Sequence, residues 1–411
     1  MLTKSSIYRW MVLMVLLGLF VGGCAPAAEP TTASAPETGG EEAEAPSEGE
    51  APAEPAEGAD EVKPYKFVVA GPMTGDVAEL GGYQLSGVEM AVEEINAAGG
   101  INGRPIEIMV FDDKCDSTEA AIVASRVLAE EDVFAVIGHM CSGASMAAGP
   151  LYDEAGLTFL TASSTAPALT EQGWTHLFRT ITHDAAWGPV LGDIAIQNFD
   201  AKKVAIFYAT DDYGVGLLET MVPALEGKGV EVVAQETYRA GDKDFSAQLS
   251  KVATLEPDVL MLLTEYTEMA LITRQRVAAG MTDVGVVCAS NGQFQQFIDL
   301  AGEAAEGAII GVAWDKWSTD PAVKSLNDKC IADYGGPCNE VDAYYYDAVY
   351  IMKQAIEEGA TRETLNEVLR DIHFEGPTGV TEFLANGDIK PKMLFAQTVL
   401  NGEFASFDLN K

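Results

Sequence analysis

Two short segments carry residue types suited to holding a small anion. Residues 138–145 read Gly-His-Met-Cys-Ser-Gly-Ala-Ser, and residues 160–167 read Leu-Thr-Ala-Ser-Ser-Thr-Ala-Pro. In the first, the apolar run 133–137 leads into a helical pattern, so Ser142 falls where an N-cap would sit. The N–H groups of Gly143, Ala144 and Ser145 are then the first unpaired donors of that helix. Unpaired N–H groups at the positive end of a helix dipole favour a carboxylate or another anion. The second segment sets three hydroxyls, Ser163, Ser164 and Thr165, beside the first. A capping serine explains one such motif equally well; two neighbouring hydroxyl-rich loops favour the anion site. Gly75, Gly81 and Gly82 form no G-x-G-x-x-G and no Walker motif occurs, so a nucleotide phosphate is not the expected anion.

Other chemistry has few candidates. The chain holds four histidines, and a hydrolase built around Ser142 or Ser163 would have to draw its base from His139, His176 or His183. His139 with Cys115 and Cys141 lacks an evident fourth ligand, so no metal is expected, and nothing calls for a cofactor. The formal charge of −38, from 63 acidic and 25 basic residues, repels phosphate backbones and excludes nucleic acid as the expected partner. With 48% hydrophobic residues, most of the chain folds.

The elements that position these loops follow from periodicity. Strand patterns at 66–70, 106–111 and 133–137 alternate with helical patterns at 82–97 and 117–130, a β-α-β-α-β order that demands a parallel sheet covered on both faces. The rhythm restarts with strands at 204–208, 230–236, 259–263 and 284–287 and helices at 216–226, 245–252 and 269–279. Near 179–184 the alternation lapses. After a strand at 309–313 come helical patterns at 322–334, 341–358 and 361–370, where nothing starts a new sheet and the helices are expected to pack back on the first lobe. The prediction is an α/β chain of two parallel-sheet lobes, lobe 1 from 63–183 plus 314–394 and lobe 2 from 184–313 plus 395–411. The ligand cleft lies between them at the strand C-termini.

Upstream, residues 1–23 place Lys4 and Arg9 before a short apolar run, the pattern of a secretory signal peptide. The sequence Val21-Gly22-Gly23-Cys24 resembles the lipobox of bacterial lipoproteins, with Val21 where leucine is usual; Cys24 is the expected lipidation site. Residues 24–62 form an acidic linker rich in Pro, Ala and Glu, carrying eleven acids and no base, expected to be disordered and extended. Export implies an oxidising compartment. Cys115 and Cys141 each lie just past a strand end, and loops of adjacent parallel strands stand side by side, so a disulfide is expected there. Cys330 and Cys338 flank a turn that brings them together, and Cys288 remains as a buried thiol.

Several motifs occur in order: Gly71-Pro72-Met73-Thr74-Gly75, Gly87-Val88-Glu89-Met90-Ala91, residues 95–103, Asp112-Asp113-Lys114-Cys115-Asp116, Gly138-His139-Met140-Cys141-Ser142, Thr165-Ala166-Pro167, Asp212-Tyr213-Gly214-Val215-Gly216, Asp244-Phe245-Ser246 and Ala304-Ala305-Glu306-Gly307. Together they resemble the leucine/isoleucine/valine-binding protein family, the amino-acid receptors of ABC importers. The resemblance implies the type I periplasmic binding fold, two lobes joined by three crossovers, and a lipid-anchored monomer that closes over a small amino acid or amide. It would then deliver that solute to an ABC permease. It assigns the ligand carboxylate to Ser142 and Thr165 with Ser163 beside them, closure to Tyr213 and Tyr266, and a side-chain pocket position to Leu80. The family's acid for the ligand ammonium, after the strand at 284–287, is replaced by Ser290 or Asn291. Glu265, Asp184 and Asp315 are the candidates to take its place. A sensor that presents the closed complex to a signalling receptor is the alternative role.

Overall fold

The computed structural model describes residues 62–409; the expected signal peptide, Cys24 and all but the last residue of the acidic linker lie outside the described residues. The described residues begin with β1 (Tyr65–Gly71), α1 (Ala78–Ala97), β2 (Ile106–Asp112), α2 (Ser117–Val127), β3 (Val133–Gly138), α3 (Ser142–Glu154), β4 (Phe159–Thr161) and β5 (Leu177–Arg179). These strands make a five-stranded sheet, β2-β1-β3-β4-β5, parallel throughout. Phe67, Val68, Val69 and Ala70 in succession are fully buried, because helices cover both faces. Helix α1 starts four residues earlier than its periodicity predicts, with Gly81 and Gly82 inside it. Gly81 is there for packing: a Cβ would come within 2.3 Å of the Pro72 carbonyl oxygen.

The second set runs α4 (Asp184–Phe199), β6 (Lys203–Ala209), α5 (Asp212–Glu226), β7 (Glu231–Tyr238), α6 (Ser246–Ala253), β8 (Val259–Leu263), α7 (Tyr266–Ala278), β9 (Gly285–Cys288), α8 (Gln295–Ala301) and β10 (Ile309–Val312). Then follow α9 (Pro321–Tyr334), α10 (Glu340–Glu357), α11 (Leu365–Asp371), β11 (His373–Gly376), β12 (Gly379–Glu382), β13 (Phe395–Leu400) and β14 (Glu403–Phe407). The second sheet has the order β14-β13-β10-β9-β8-β6-β7, parallel from β7 to β10, with β13 and β14 added antiparallel at one edge. Contrary to the expectation that no sheet begins after residue 313, β11 and β12 pair as a two-stranded sheet of their own. Both are four residues long and largely polar, too short to show an alternating pattern.

The chain crosses between the lobes three times, after β5, β10 and β12. The crossings are tied together: Lys392 N donates to Thr182 Oγ1 at 3.0 Å, and Trp314 Nε1 donates to the Pro377 carbonyl at 2.9 Å. Helix α10 lies along α1 at a close approach permitted by Gly87, whose hypothetical Cβ would sit 2.4 Å from the Asp342 carbonyl oxygen. A capping box at Asn339, with Val341 N and Asp342 N donating to its side chain at 2.8 and 3.2 Å, fixes where α10 begins. That start sits at the mouth of the cleft.

Candidate functional site

Strand C-termini from both sheets face one another across a cavity of about 390 Å³, near the small end of the ~300–1,000 Å³ usual for ligand pockets. Its floor on the first lobe is the segment after β3. Cys141, in extended conformation (φ −80°, ψ 140°), is the N-cap of α3 and gives no side-chain cap, its sulfur being bonded to Cys115. Ser142 is therefore not the cap that its sequence position suggested; it is the first helical residue, and its hydroxyl accepts from Ala166 N at 3.3 Å. The Ser145 N–H is likewise unavailable, donating to the Cys141 carbonyl at 2.9 Å. Of the three donors expected from sequence, those of Gly143 and Ala144 remain, and Gly143 lines the cavity beside Ser142.

The Cys115–Cys141 bond, with Cα atoms 5.5 Å apart, does not join neighbouring strands. β1 lies between β2 and β3, and the loop after β2 curls back over it through left-handed conformations at Lys114 and Cys115 (φ 54° and 58°). Asp113 anchors this loop, accepting from Cys115 N at 2.8 Å while pairing with His139 Nδ1 at 2.6 Å. Cys330 and Cys338 are bonded with Cα atoms 5.4 Å apart, and Cys288 is a buried free thiol.

The hydroxyl loop after β4 divides its duties. Ser164 is buried and binds structure, donating to the Met140 carbonyl at 2.9 Å and lying 2.8 Å from Ser145 Oγ. Ser163 and Thr165 line the cavity. Thr165 is 4% exposed, and its hydroxyl is turned to the Asp184 carboxyl without a hydrogen bond of ordinary geometry. Behind it, Asp184 receives no hydrogen bond of ordinary geometry on either oxygen, and burial pushes its carboxyl up to about 7 against the lowering pull of the Thr165 hydroxyl and Arg179. Asp184 thus supports the wall from behind rather than forming it.

From the second lobe, Tyr213 and Glu265 reach the cavity, as do Ser290 and Asn291. Glu265 is the N-cap of α7 and accepts from Asn291 Nδ2 at 2.9 Å. It is half-buried and faces the cavity; desolvation first, then the charges of Asp211 and Glu268, push its carboxyl up to about 8. The Tyr213 hydroxyl is held well above its ordinary value by burial and by the surrounding acids Asp184, Glu265 and Glu340.

Leu80 supplies apolar wall from the first lobe. Tyr266 does not line the cavity. Its ring stands edge-on to Phe294 at 5.9 Å, and its hydroxyl donates to the Asp76 carbonyl at 3.3 Å, a bond from one lobe to the other. Asp315 lines a separate cavity near the crossings and takes no part.

Sequence reasoning missed Glu340 and Asp211. Glu340, 4% exposed, lines the cavity from the first turn of α10 and accepts from Ala313 N at 2.7 Å, a crossing residue. Burial raises its carboxyl to about 6 although Ala313, Gln293 and Ser290 all donate toward it. An acid in a first helical turn reads from sequence as a partner for the helix dipole, which concealed it. Asp211 caps α5, accepting from Gly214 N at 2.8 Å, and also faces the cavity.

No described residue lining the cavity is His, Lys or Arg. His139 is buried with both ring nitrogens engaged, by Asp113 and by the Tyr152 hydroxyl at 3.1 Å; His176 pairs with Asp153 at 3.0 Å, and His183 accepts from Ala185 N. None is placed to activate Ser142 or Ser163. The arrangement suits recognition: a helix N-terminus, hydroxyls and the buried Glu340 on one lobe face the carboxylates of Asp211, Asp212 and Glu265 on the other.

A family profile described as periplasmic binding protein matches residues 64–403. A Pseudomonas aeruginosa protein named as leucine-, isoleucine-, valine-, threonine- and alanine-binding is 34% identical over 327 residues, 79% of this chain and 87% of that protein. The Leu/Ile/Val-binding protein of Escherichia coli K12 is 29% identical over 327 residues, 79% of this chain and 88% of its own. Among solved structures, a leucine-binding protein from Thermotoga maritima matches with a TM-score of 0.79 and 30% identity, covering 84% of this chain and 98% of that one. The branched-chain amino-acid transporter substrate-binding protein of Streptococcus pneumoniae, in complex with isoleucine, matches with a TM-score of 0.78 and 28% identity over 84% and 98%.

Proposed function

The chain belongs to the leucine/isoleucine/valine-binding protein family of periplasmic binding proteins, whose members are substrate-binding proteins of transporters and not enzymes; from that premise we propose that it is an importer's receptor for a free α-amino acid. The relatives are named for small aliphatic amino acids. In this chain the solute's carboxylate takes the N–H of Gly143 and the hydroxyls of Ser142 and Thr165, with Ser163 beside them. Its ammonium faces Glu265, which stands in for the family acid absent at Ser290 and Asn291. Asn291 then serves to orient that carboxylate.

One observation carries this reading: a helix N-terminus flanked by the Ser142, Ser163 and Thr165 hydroxyls and a half-buried, cavity-facing Glu265 belong to opposite lobes and line the same 390 Å³ space. A zwitterion joins them, so ligand contacts made by both lobes favour the closed arrangement over an open one. The Tyr266–Asp76 bond between lobes adds to closure. Outside the cytoplasm, the loaded monomer presents its closed lobes to an ABC permease while the lipid on Cys24 holds it at the membrane.

Calorimetric titration with α-amino acids, their decarboxylated amines and their deaminated acids tests the assignment. One amino acid bound per chain, with both analogues at least tenfold weaker, is the expected result. Analogues that bind as well as the amino acid would contradict it.

A further inference from the structure

The short segment that joins β9 to α8, Ser290–Gln293 followed by Phe294, faces two ways. Ser290 and Asn291 line the cavity, where Asn291 donates to Glu265. Gln293 and Phe294 stand outside the cavity wall and meet the first lobe instead. Gln293 Oε1 accepts from Glu340 N, at the start of α10, at 3.2 Å; its Nε2 donates to the Ser290 carbonyl at 3.1 Å, which fixes the side chain. Phe294 is 2% exposed and stacks on Tyr83 of α1, with ring centroids 5.3 Å apart and planes 10° from parallel. Tyr266 packs its ring against Phe294 from the second lobe. The segment is pressed onto its own lobe at Gly292, where a Cβ would lie 2.9 Å from Met269 Sδ and 3.0 Å from Cys288 Cβ.

Parting the lobes would separate Phe294 from Tyr83 and expose both ring faces. The lost stacking and the newly wetted apolar area both oppose opening. Neither Tyr83 nor Phe294 lines the cavity, so these contacts favour the closed arrangement whether or not a solute is present. That separates them from the contacts a solute makes to both lobes, which act only in the filled site. A solute that binds the closed form gains apparent affinity in proportion to the fraction of receptor already closed. We infer that Tyr83 and Phe294, with Gln293 beside them, form a clasp across the cleft that holds a share of the solute-free receptor closed and slows the release of bound solute. They act as positioning residues, and the part of the inference that concerns release rests on the amino-acid reading above.

Tyr83→Ala removes the first lobe's half of the clasp from a half-buried position, and Tyr83→Phe keeps the ring. Release of L-leucine, followed by stopped flow, is expected to quicken about three- to tenfold in Tyr83→Ala, the scale of one aromatic pair, with association no slower than in the parent. Tyr83→Phe is expected to recover most of that loss. X-ray scattering from the solute-free proteins is expected to give a larger radius of gyration for Tyr83→Ala than for the parent. Release at the parent's rate, a loss carried by slower association, or equal radii would overturn the clasp. Should the parent bind none of L-leucine, L-valine, L-threonine and L-alanine, the amino-acid reading fails, while the scattering comparison still decides the clasp. If Tyr83→Ala folds poorly, Tyr83→Leu, which keeps apolar bulk without a ring, takes its place in both measurements.

Discussion

Glu265→Gln should make the empty receptor more stable at neutral pH and a poorer binder. The Glu265 carboxyl, ordinarily near 4.5, sits at about 8 in the fold, because burial and the facing carboxylates of Asp211 and Glu268 oppose its charge. Among the described residues Asn291 donates to it, and the tyrosines 213, 238 and 266 that face it offer no positive charge. Between those two values the folded chain holds a proton that the unfolded chain has released, so this residue's contribution to stability declines as pH rises from about 4.5 to 8. At pH 7 the cost is on the order of 3 kcal/mol, and at pH 5 it falls below about 1 kcal/mol. Glutamine does not titrate and keeps an acceptor for Asn291, so the variant should gain about 1–3 kcal/mol at pH 7 and little at pH 5. Binding of an ammonium-bearing solute should weaken by about 2–5 kcal/mol, the scale for deleting one partner of a buried charge pair. Melting of ligand-free protein across pH 5–8 reads the first effect and calorimetry the second. A variant with unchanged affinity, and a melting curve whose pH dependence matches the parent's, would refute the placement of the ammonium at Glu265.

Ser142→Ala and Thr165→Ala should each weaken binding by about 1.5–3 kcal/mol, the scale of a hydrogen bond to a charged group; unchanged calorimetric affinity in both would put the carboxylate elsewhere. Tyr266→Phe removes only the hydroxyl that reaches the Asp76 carbonyl, so solute release measured by stopped flow should quicken up to about tenfold, a loss of roughly 0.5–1.5 kcal/mol, with the melting temperature of the empty form little changed. Replacing Cys115 and Cys141 by serine opens a loop with a sequence separation of 26 and should cost about 3.5 kcal/mol in chain entropy, with ligand affinity falling as well because the bond tethers the N-cap of α3. Cys24→Ser should move the protein from the membrane fraction to the soluble one; retention at the membrane would remove the lipid from the account.

Strands buried on both faces were legible because a continuous run such as Phe67-Val68-Val69-Ala70 has no other use. Helix starts were less so. α1 and α5 each begin four residues before their apolar period, where Gly81 and Gly214 serve close packing and dilute the pattern. The loops after β3 and β4 could be recognised from their serines, but not the division of labour within them: whether Ser164 or Thr165 faces the cavity depends on which hydroxyl finds Met140 and Ser145 nearby. Glu340 was invisible for a similar reason. Its partner Ala313 is 27 residues away, and only the packing of α10 on α1 brings that helix's first turn to the cleft.

The central claim is that the space between the lobes holds one α-amino acid. Mass spectrometry of the protein purified from its own cells, first intact under native conditions and then after denaturation, weighs the retained solute and identifies it. The account predicts a single released molecule per chain whose mass and derivatisation show both a primary amine and a carboxylate. A retained solute lacking either group, such as an aromatic carboxylate or a sugar, would contradict it.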